Sequence, residues 1–381
     1  MSRSPGTHLI QSILNFGPQR TSNDRQFKSP NLSKPVQTED STSTKITGET
    51  DDKADDTQES KMEDIISESQ SSIPWSVVSS TTADTERRNE RRRNLRAIAH
   101  ETTMLLPNIL ATAPHAPPKG YLYSYPKPSR LHYQYCPSFP KTAVRVLNAD
   151  SIDTAVGLAE CAKYVTVRDK MPVCVLNMAN ANNAGGGWKN GAMAQEESLC
   201  YRSSLSFTLK LRYYPIPELG AIYSPTVLVI RSSIDDGHSL LRLDDPGKLP
   251  VISVVSIAAL CEPILKMEDT QVRPGSSQYQ KREKFDDPTD RDLTKEKIRV
   301  VLRTAAYNGH RRLVLGALGC GAFLNPREEV ADCFAEVLAE KEFDGGWWES
   351  VIFAIMDDLG EGEDGDGNFG VFYRRLNGIK V

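Results

Sequence analysis

The sequence lacks the segments and residue pairs that mark membrane and secreted proteins. None of its apolar runs approaches the ~20 residues that span a bilayer, and its N-terminus has no apolar stretch typical of a secretory signal. Seven cysteines are scattered along 381 residues without a CxxC pair, which favours free thiols over a disulfide framework. These absences predict a soluble intracellular protein that has no membrane partner.

Several motifs of phosphate, cofactor and metal chemistry are missing as well. The sequence has no GxxxxGK[ST] loop, and no GxGxxG fingerprint follows a predicted strand at the right spacing. HExxH is absent, and the six histidines lie far apart in the sequence. We therefore expect no metal and no cofactor, and hydride transfer is disfavoured.

The net charge of −4 is unevenly distributed along the chain. Residues 21–85 contain 23 Ser or Thr, 13 acidic and 6 basic residues, so they carry 6 − 13 = −7 and the remainder carries +3. Such a segment buries too little apolar surface to offset its ordering entropy. The composition predicts a disordered tail over residues 1–85 and one folded domain over residues 86–381. A balance of +3 is too small for a duplex-binding surface, so no sequence-specific nucleic acid partner is expected.

Two short segments of this N-terminal region leave alternatives open. Residues 9–16, LIQSILNF, form an apolar island that is either a docking peptide for an unidentified partner or plain disorder. Residues 86–96 contain six arginines, which form either the solvated start of the first helix of the domain or a nuclear import patch. Nuclear and cytoplasmic locations are both compatible with these features.

From about residue 143 the sequence alternates between apolar strands and amphipathic helices. Predicted strands cover residues 143–149, 173–180, 222–231, 249–260, 312–318 and 350–357. Several are continuous apolar runs, as expected of strands that helices cover on both faces. The helix after the fifth strand is predicted to have Asn325 at its N-cap and Pro326 at its first position. This order predicts a layered α/β domain.

Two stretches interrupt this alternation. Residues 262–290 are charged and show no strand signal, so they are expected to form a lid or a disordered insertion. Residues 112–140 hold many prolines and five tyrosines, at positions 121, 123, 125, 133 and 135. We expect these residues to form an ordered, extended connection that packs through its aromatic rings.

Two glycine-rich segments carry the chemistry. Each follows an apolar strand and leads towards a helix: residues 185–187, then residues 319–323 (Gly319, Cys320, Gly321, Ala322 and Phe323). Glycines let a backbone approach a ligand closely, and consecutive N–H groups suit phosphate oxygens. Ligands of α/β sheets bind at this end of the strands. One elongated anionic ligand between the loops is therefore favoured over two ordinary tight turns.

Gln195, Glu196 and Glu197 follow the first glycine segment after a short spacer. Two glutamates at a helix start often only offset the helix dipole. Here, however, the combination of a glycine triplet and QEE resembles the poly(ADP-ribose) glycohydrolase family, specifically its microbial-type branch. The matching pieces are LNMANANNAGGGWKNGAMAQEESLCYRSSL, IYSPTVLVIR, LPVISVVSIAAL and GHRRLVLGALGCGAFLNPREEVADCF. The resemblance covers roughly residues 87–358.

The resemblance implies a macrodomain-like, three-layer α/β/α fold with a central mixed sheet. It also implies an enzyme that binds ADP-ribose and cleaves the ribose–ribose bonds of poly(ADP-ribose), in ADP-ribosylation turnover and the DNA damage response. Poly(ADP-ribose) or ADP-ribosylated protein would be the substrate and ADP-ribose the product.

The resemblance also implies roles for individual residues. Glu197 would be the catalytic acid and base, and Glu196 would hold a ribose hydroxyl. Gln195 would orient a carboxylate and Asn180 would lie near the distal ribose. The two glycine loops would border the substrate, the first through Gly185, Gly186 and Gly187 and the second through its diphosphate contacts, with Phe323 against the reacting ribose. One departure is Ala184, where relatives often have proline.

Three other interpretations stay open. The chain could remove terminal or mono-ADP-ribose from proteins with nearly the same residues. A non-catalytic macrodomain that only binds ADP-ribose is disfavoured by the intact QEE. A nucleophilic role for Cys320 is disfavoured too, because no His or Asn partner is identifiable. Cys200, three residues after QEE, is expected to pack in the core.

Overall fold

Helices and short strands alternate along the chain from residue 82 onward. The computed structural model describes residues 82–126, 128–160, 171–271, 277 and 279–381. The expected tail lies outside the described residues up to residue 81, and so does the apolar island at residues 9–16. The first helix begins at Thr82, within the last positions assigned to that tail.

The first half of the described chain contributes α1 (Thr82–Ala111), β1 (Tyr121–Tyr123), β2 (Arg145–Leu147), α2 (Ser151–Glu160), β3 (Cys174–Met178), α3 (Gln195–Arg202), α4 (Leu205–Thr208) and β4 (Ala221–Leu228). The second half contributes β5 (Val251–Ile257), β6 (Leu265–Gln271), β7 (Tyr279–Phe285), α5 (Pro288–Tyr307), β8 (Arg312–Leu315), α6 (Arg327–Leu338), β9 (Ser350–Ala354) and α7 (Asn368–Leu376). All six predicted strands are present at their expected places.

Seven strands form one mixed sheet in the order β1-β4-β5-β3-β8-β9-β2. Strands β5, β3, β8, β9 and β2 run parallel, whereas β4 is antiparallel to β5 and β1 is antiparallel to β4. The carboxyl ends of five strands therefore meet at one edge of the sheet. This edge is where a ligand of an α/β domain binds.

Helices cover both faces of the sheet. On one face Ile298 of α5, Phe334 of α6 and Phe372 of α7 pack into a fully buried cluster. On the other face Ile152 of α2 and Leu199 of α3 belong to a second cluster, which also contains Leu95 and Ala99 of α1. The layered α/β domain predicted from the sequence pattern and the three-layer α/β/α fold that the resemblance implied are both confirmed. Within the described residues, no helix combines the length and the apolarity needed to cross a membrane.

The expectation that residues 262–290 contain no strand is wrong. Strands β6 and β7 form a separate antiparallel hairpin in this segment. Its signal is hidden because charged residues of opposite sign face each other, with Glu268 opposite Arg282 and Asp269 opposite Lys281. Cross-strand charge pairs stabilise a hairpin without apolar alternation. The expectation that residues 262–290 form an insertion stays a prediction.

Two further details differ from expectation. Tyr125, Tyr133 and Tyr135 are 86%, 77% and 64% exposed, so these rings do not pack into the core, although Tyr133 and Tyr135 contact the ring of His132. Tyr123 does pack, against Tyr223 and Tyr307. Asn325 is not the N-cap of α6, because that position belongs to Pro326. Its amide instead donates to backbone carbonyls of nearby loops.

Candidate active site

A cavity of about 470 Å³ opens at the carboxyl edge of the sheet. Its wall contains residues that directly follow the parallel strands: 149–151 after β2, Asn180 after β3, Ala259 after β5 and Met356 after β9. The loop after β8 supplies Gly319 and the run from Gly321 to Phe323. Helix α3 supplies the polar part of the wall through Gln195, Glu196 and Glu197. The structure thus brings the two motif regions of the sequence together around one space.

Gln195 anchors the start of α3 to strand β3. Its Oε1 accepts a hydrogen bond from the Met178 N–H at 3.0 Å, and its Nε2 donates to the Leu176 carbonyl at 2.7 Å. The residue before it, Ala194, offers no side-chain cap. Both ends of the Gln195 amide are therefore used on the backbone of the sheet. Gln195 fixes where the helix begins, whereas the sequence predicted that it would orient a carboxylate.

Glu196 is buried and has a donor on each oxygen. Asn177 Nδ2 donates to its Oε1 at 3.3 Å, and the Asn180 backbone N–H donates to its Oε2 at 2.7 Å. Burial raises the pKa of Glu196 to about 7; the neighbouring Glu197 charge adds to this rise and the hydrogen bonds oppose it. Glu196 therefore changes its protonation near neutral pH.

Glu197 is buried as well, but the described residues hold only one of its oxygens. The Gly187 backbone N–H donates to Oε1 at 2.9 Å. Among the described residues, no hydrogen-bond donor reaches Oε2, although Glu197 lines the cavity. One carboxylate oxygen is thus fixed by the backbone while the other is available to a ligand.

The glycine triplet packs directly against the two carboxylates. Gly185 and Gly186 have φ angles of +78° and +58°, which L side chains rarely adopt. A Cβ on Gly186 would collide with Glu197 Oε1 and would lie 3.3 Å from Glu196 Oε2. The triplet does not belong to the cavity wall. Its contacts are with the glutamates, and not directly with the space that a ligand would fill.

The loop after β8 reaches the cavity directly. Gly319 has a φ of +76°, and Asn325 Nδ2 donates to the carbonyls of Leu260, Gly319 and Phe323. These bonds tie the loop to the end of β5. Ala322 and Phe323 lie in the wall beside Gly321. The loop after β8 is therefore fixed at one side of the cavity, with Phe323 in the wall.

Cys320 lies in this loop but not in the wall. It is 7% exposed, its Sγ lies 3.6 Å from the Leu318 carbonyl, and burial raises the pKa of its thiol. A buried neutral thiol is a poor nucleophile. Cys200 is fully buried and packs with the α3 face of the core. Neither cysteine supports a covalent mechanism.

Asn180 joins the cavity to the first glycine loop. Its side-chain oxygen accepts from the Asn182 and Asn183 backbone N–H groups at 2.8 and 2.9 Å. Its own backbone N–H holds Glu196. The residue thus shapes the turn that leads into the triplet and also lines the cavity.

Several wall residues were missed by the sequence analysis. Asp150 and Ser151 follow β2, and Met356 and Asp358 follow β9. Because ligands bind beyond the carboxyl ends of parallel strands, these residues could have been predicted. The loop containing residues 233–238 follows the antiparallel strand β4 and gave no such signal. None of the five tyrosines between residues 121 and 135 belongs to the wall.

A buried arginine fixes the C-terminal end of helix α3. Arg202, at the C-terminus of α3, is 1% exposed and pairs with Asp150 at 2.5 Å and with Asp153. Asp150 also caps α2 by accepting from the Ile152 and Asp153 N–H groups. The ion pairs therefore hold α3 against α2 beside the cavity.

The arginine-rich start of α1 also contacts this region. The Nε groups of Arg92 and Arg96 both donate to the Asn190 carbonyl at 3.0 Å. Gly191, with a φ of +80°, packs against the Arg92 backbone. Two of the six arginines thus hold the segment between the triplet and α3.

Among the described residues, no cluster of His, Cys, Asp or Glu is arranged to hold a metal.

Comparison with known proteins gives one family and a set of solved structures. The family model described as microbial-type PARG, catalytic domain, matches residues 33–232, just over half of the chain and including the triplet and QEE. Poly(ADP-ribose) glycohydrolase from Thermomonospora curvata is 26% identical, with a TM-score of 0.57, covering 74% of this chain and 99% of that one. A structure of that enzyme with the inhibitor ADP-HPD gives 26% identity, a TM-score of 0.56 and the same coverage.

A third structure comes from Deinococcus radiodurans. Its poly(ADP-ribose) glycohydrolase in complex with ADP-ribose is 27% identical, with a TM-score of 0.51, covering 71% of this chain and 97% of that one. No curated protein sequence matches the chain.

Proposed function

This chain belongs to the microbial-type poly(ADP-ribose) glycohydrolase family, and from that premise we propose how its own residues perform the reaction. The chain is a hydrolase of the glycosidase class. Its substrate is poly(ADP-ribose), whose ribose–ribose O-glycosidic bonds it cleaves, and its product is ADP-ribose.

The cavity accommodates the ADP-ribose unit between the glutamates and the loop after β8. A diphosphate lies along the backbone of Gly319 to Phe323, because a backbone with small side chains lets oxygens approach closely. The space at Gly321 supports this: a Cβ built there would meet nothing within 4 Å. The ring of Phe323 packs against the reacting ribose.

Glu197 is the general acid and base. This assignment rests on a difference in hydrogen bonding between the two carboxylates. Both Glu196 oxygens accept hydrogen bonds from protein donors, whereas Glu197 Oε2 has no donor among the described residues. The protonated carboxyl of Glu197 donates to the leaving ribosyl oxygen as the C–O bond breaks and an oxocarbenium-like centre forms. The resulting carboxylate then accepts a proton from the attacking water.

Glu196 holds a ribose hydroxyl next to the scissile bond. Each carboxylate oxygen has two acceptor positions, so the donors from Asn177 and Asn180 leave room for a substrate hydroxyl. Gln195 fixes the frame of the pair through its two bonds to β3. The negative charge of the substrate diphosphate adds to the stabilisation of the cationic centre.

Isosteric substitutions test these roles. Glu197→Gln keeps the acceptor for the Gly187 N–H and removes the transferable proton, so kcat should fall by at least roughly 10³-fold, within the range of general acid–base catalysis. The Kd of ADP-ribose should change little. Glu196→Gln should lose less in kcat and more in KM, because it removes a substrate contact. Equal losses of kcat in both variants would contradict the division of labour.

Cleavage proceeds from the chain end. In support, the cavity of about 470 Å³ lies in the size range of pockets that take one small ligand. Early time points with long polymer should then contain free ADP-ribose and a slowly shortening chain. Oligomers of intermediate length as first products would refute this mode. Hydrolysis of mono-ADP-ribosylated protein at a comparable rate would favour the alternative reaction at terminal or mono-ADP-ribose.

The enzyme acts in the nucleus, the cytoplasm or both, in the removal of poly(ADP-ribose) made in the DNA damage response. The arginine cluster at the start of α1 supports a nuclear fraction, and so does the resemblance to the family. A fluorescent fusion in which Arg87, Arg88, Arg91 and Arg93 are replaced by Ala should lose nuclear signal. Arg92 and Arg96 are kept, because they hold Asn190. Unchanged distribution would remove the import role.

A further inference from the structure

A buried polar pair lies beneath Glu196 on the sheet. Asn177 of β3 and Ser256 of β5 are register partners on neighbouring parallel strands and are both fully buried. Asn177 Nδ2 donates to Ser256 Oγ at 2.9 Å and to Glu196 Oε1 at 3.3 Å. Two uncharged polar side chains in a sheet core lose hydration and persist only with hydrogen-bond partners. Their partner in the site is a carboxyl that titrates.

One acceptor and one donor of this pair have no hydrogen-bond partner among the described residues. Asn177 Oδ1 is buried and has no partner, and among the described residues the Ser256 hydroxyl takes part only in the hydrogen bond that it accepts from Asn177 Nδ2. Rotation of the Asn177 amide by half a turn would exchange these roles and would place Nδ2 at the position where Oδ1 has no partner. Oδ1 would then face both Glu196 Oε1 and Ser256, where it accepts from the serine O–H and from a protonated glutamate.

Each amide orientation therefore suits one protonation state of Glu196. With Nδ2 towards it, the carboxylate receives a donor and Ser256 acts as acceptor. With Oδ1 towards it, the carboxylic acid donates its proton and Ser256 becomes a donor. We propose that Asn177, assisted by Ser256, is a positioning residue that keeps the Glu196 carboxyl in place through a change of its protonation during the reaction.

The consequence for the reaction rests on the proposed function. The proton exchanges between Glu196 Oε1 and water in the cavity, which Glu196 lines, and no covalent bond changes. When Glu197 gives up its proton, a charged Glu196 would add a second negative charge beside it. A Glu196 that takes up a proton without moving removes that repulsion.

In the part of the chain that the structure describes, three ionisable groups lie around Glu196. Glu197 and Cys200 face it from α3, and Tyr214 faces it from the segment between α4 and β4. Burial raises the pKa of the Cys200 thiol and of the Tyr214 hydroxyl, so both are neutral near pH 7. Among these groups, only the charge of Glu197 competes with the amide in setting the protonation of Glu196.

The direct test is an NMR titration of the Glu196 carboxyl carbon in the free enzyme. The wild type should titrate near pH 7. Asn177→Leu removes the donor to the carboxylate and keeps a side chain branched at the same carbon, although a larger one, so the midpoint should rise by about one pH unit. Ser256→Ala should raise it by about half a unit, because the amide loses the contact that orders it.

Ser253→Ala is the matched control. Ser253 lies on the same strand, is equally buried and donates to the Pro225 carbonyl at 2.6 Å, away from Glu196. This variant should leave the midpoint unchanged. If Asn177→Leu does not fold, Ser256→Ala, which removes one oxygen, carries the test against the same control.

Kinetics provide the second readout. The pH profile of kcat on poly(ADP-ribose) should shift upward with the NMR midpoint, while KM stays nearly constant. In a Glu196→Gln background, Asn177→Leu should produce no further shift. Folded variants with unchanged midpoints would overturn the proposal and leave a structural role. The NMR result is independent of turnover, so failure of the proposal is distinguishable from absence of hydrolysis.

Discussion

Gly186→Ala tests whether the glycine triplet positions the catalytic carboxylates. A non-glycine residue at φ +58° costs about 1–2 kcal/mol, and the added Cβ would collide with Glu197 Oε1. The end of a flexible side chain yields more readily than the backbone. The fold should therefore survive, with Tm lower by roughly 2–8 °C, while the carboxylate of Glu197 moves away from its bond to the Gly187 N–H.

A displacement of ~1 Å at a reacting group costs roughly 10²-fold in rate, so Gly186→Ala should lose about that factor in kcat. Gly309→Ala is the matched control: its φ is +79°, and a Cβ there meets nothing within 4 Å. It should lose similar stability in urea unfolding but keep its activity. ADP-ribose release is measured by chromatography. Near wild-type turnover of Gly186→Ala, or an equal loss in Gly309→Ala, would refute the reasoning.

Three further predictions concern buried groups. Because the pKa of Glu196 is raised from 4.5 to about 7, its contribution to stability is full below pH 4.5 and is lost as the pH rises towards 7. The wild type should thus lose about 3 kcal/mol of unfolding free energy between pH 4 and pH 8 that Glu196→Gln does not lose; parallel pH curves in urea unfolding would contradict this. Arg202→Met leaves Asp150 and Asp153 without their cation and should cost about 3 kcal/mol in urea unfolding, whereas a loss below about 1 kcal/mol would show that water compensates the aspartates. Cys320→Ala should keep most of the turnover, and an inactive but folded variant would restore the nucleophile hypothesis.

The sheet and the general position of the site could be predicted because continuous apolar runs dictate buried parallel strands. Once five strands are parallel, the segments after β3 and β8 must meet at one edge. The β6–β7 hairpin was not predictable from periodicity, because its strands are exposed and place charged residues of opposite sign at facing positions, such as Glu268 and Arg282. The ion pair of Glu268 is with Lys284 on the same neighbouring strand. The exposure of Tyr133 and Tyr135 could not be predicted either, because the residue type alone does not show whether another part of the protein covers an aromatic ring.

Within the site, residue types could be predicted but partners could not. The sequence led to the prediction that Glu196 and Glu197 carry the chemistry, and the structure places both in the cavity wall. It did not reveal that Gln195 binds the backbone of β3, or that the triplet supports the carboxylates and does not line the cavity. Those contacts are as short as hydrogen bonds, so they depend on the exact position at which α3 begins above the sheet. The role of Asn177 depends on its register with Ser256, which only the paired strands define.

The measurement that tests the central claim most directly compares two substrates under identical conditions. Purified enzyme is incubated with poly(ADP-ribose) and with mono-ADP-ribosylated protein, with Glu197→Gln as the catalytic blank, and released ADP-ribose is quantified over time. We predict rapid release from the polymer by the wild type, little release from the mono-ADP-ribosylated protein, and loss of polymer turnover in Glu197→Gln with ADP-ribose binding retained. Polymer turnover by Glu197→Gln at a rate near that of the wild type would contradict the account.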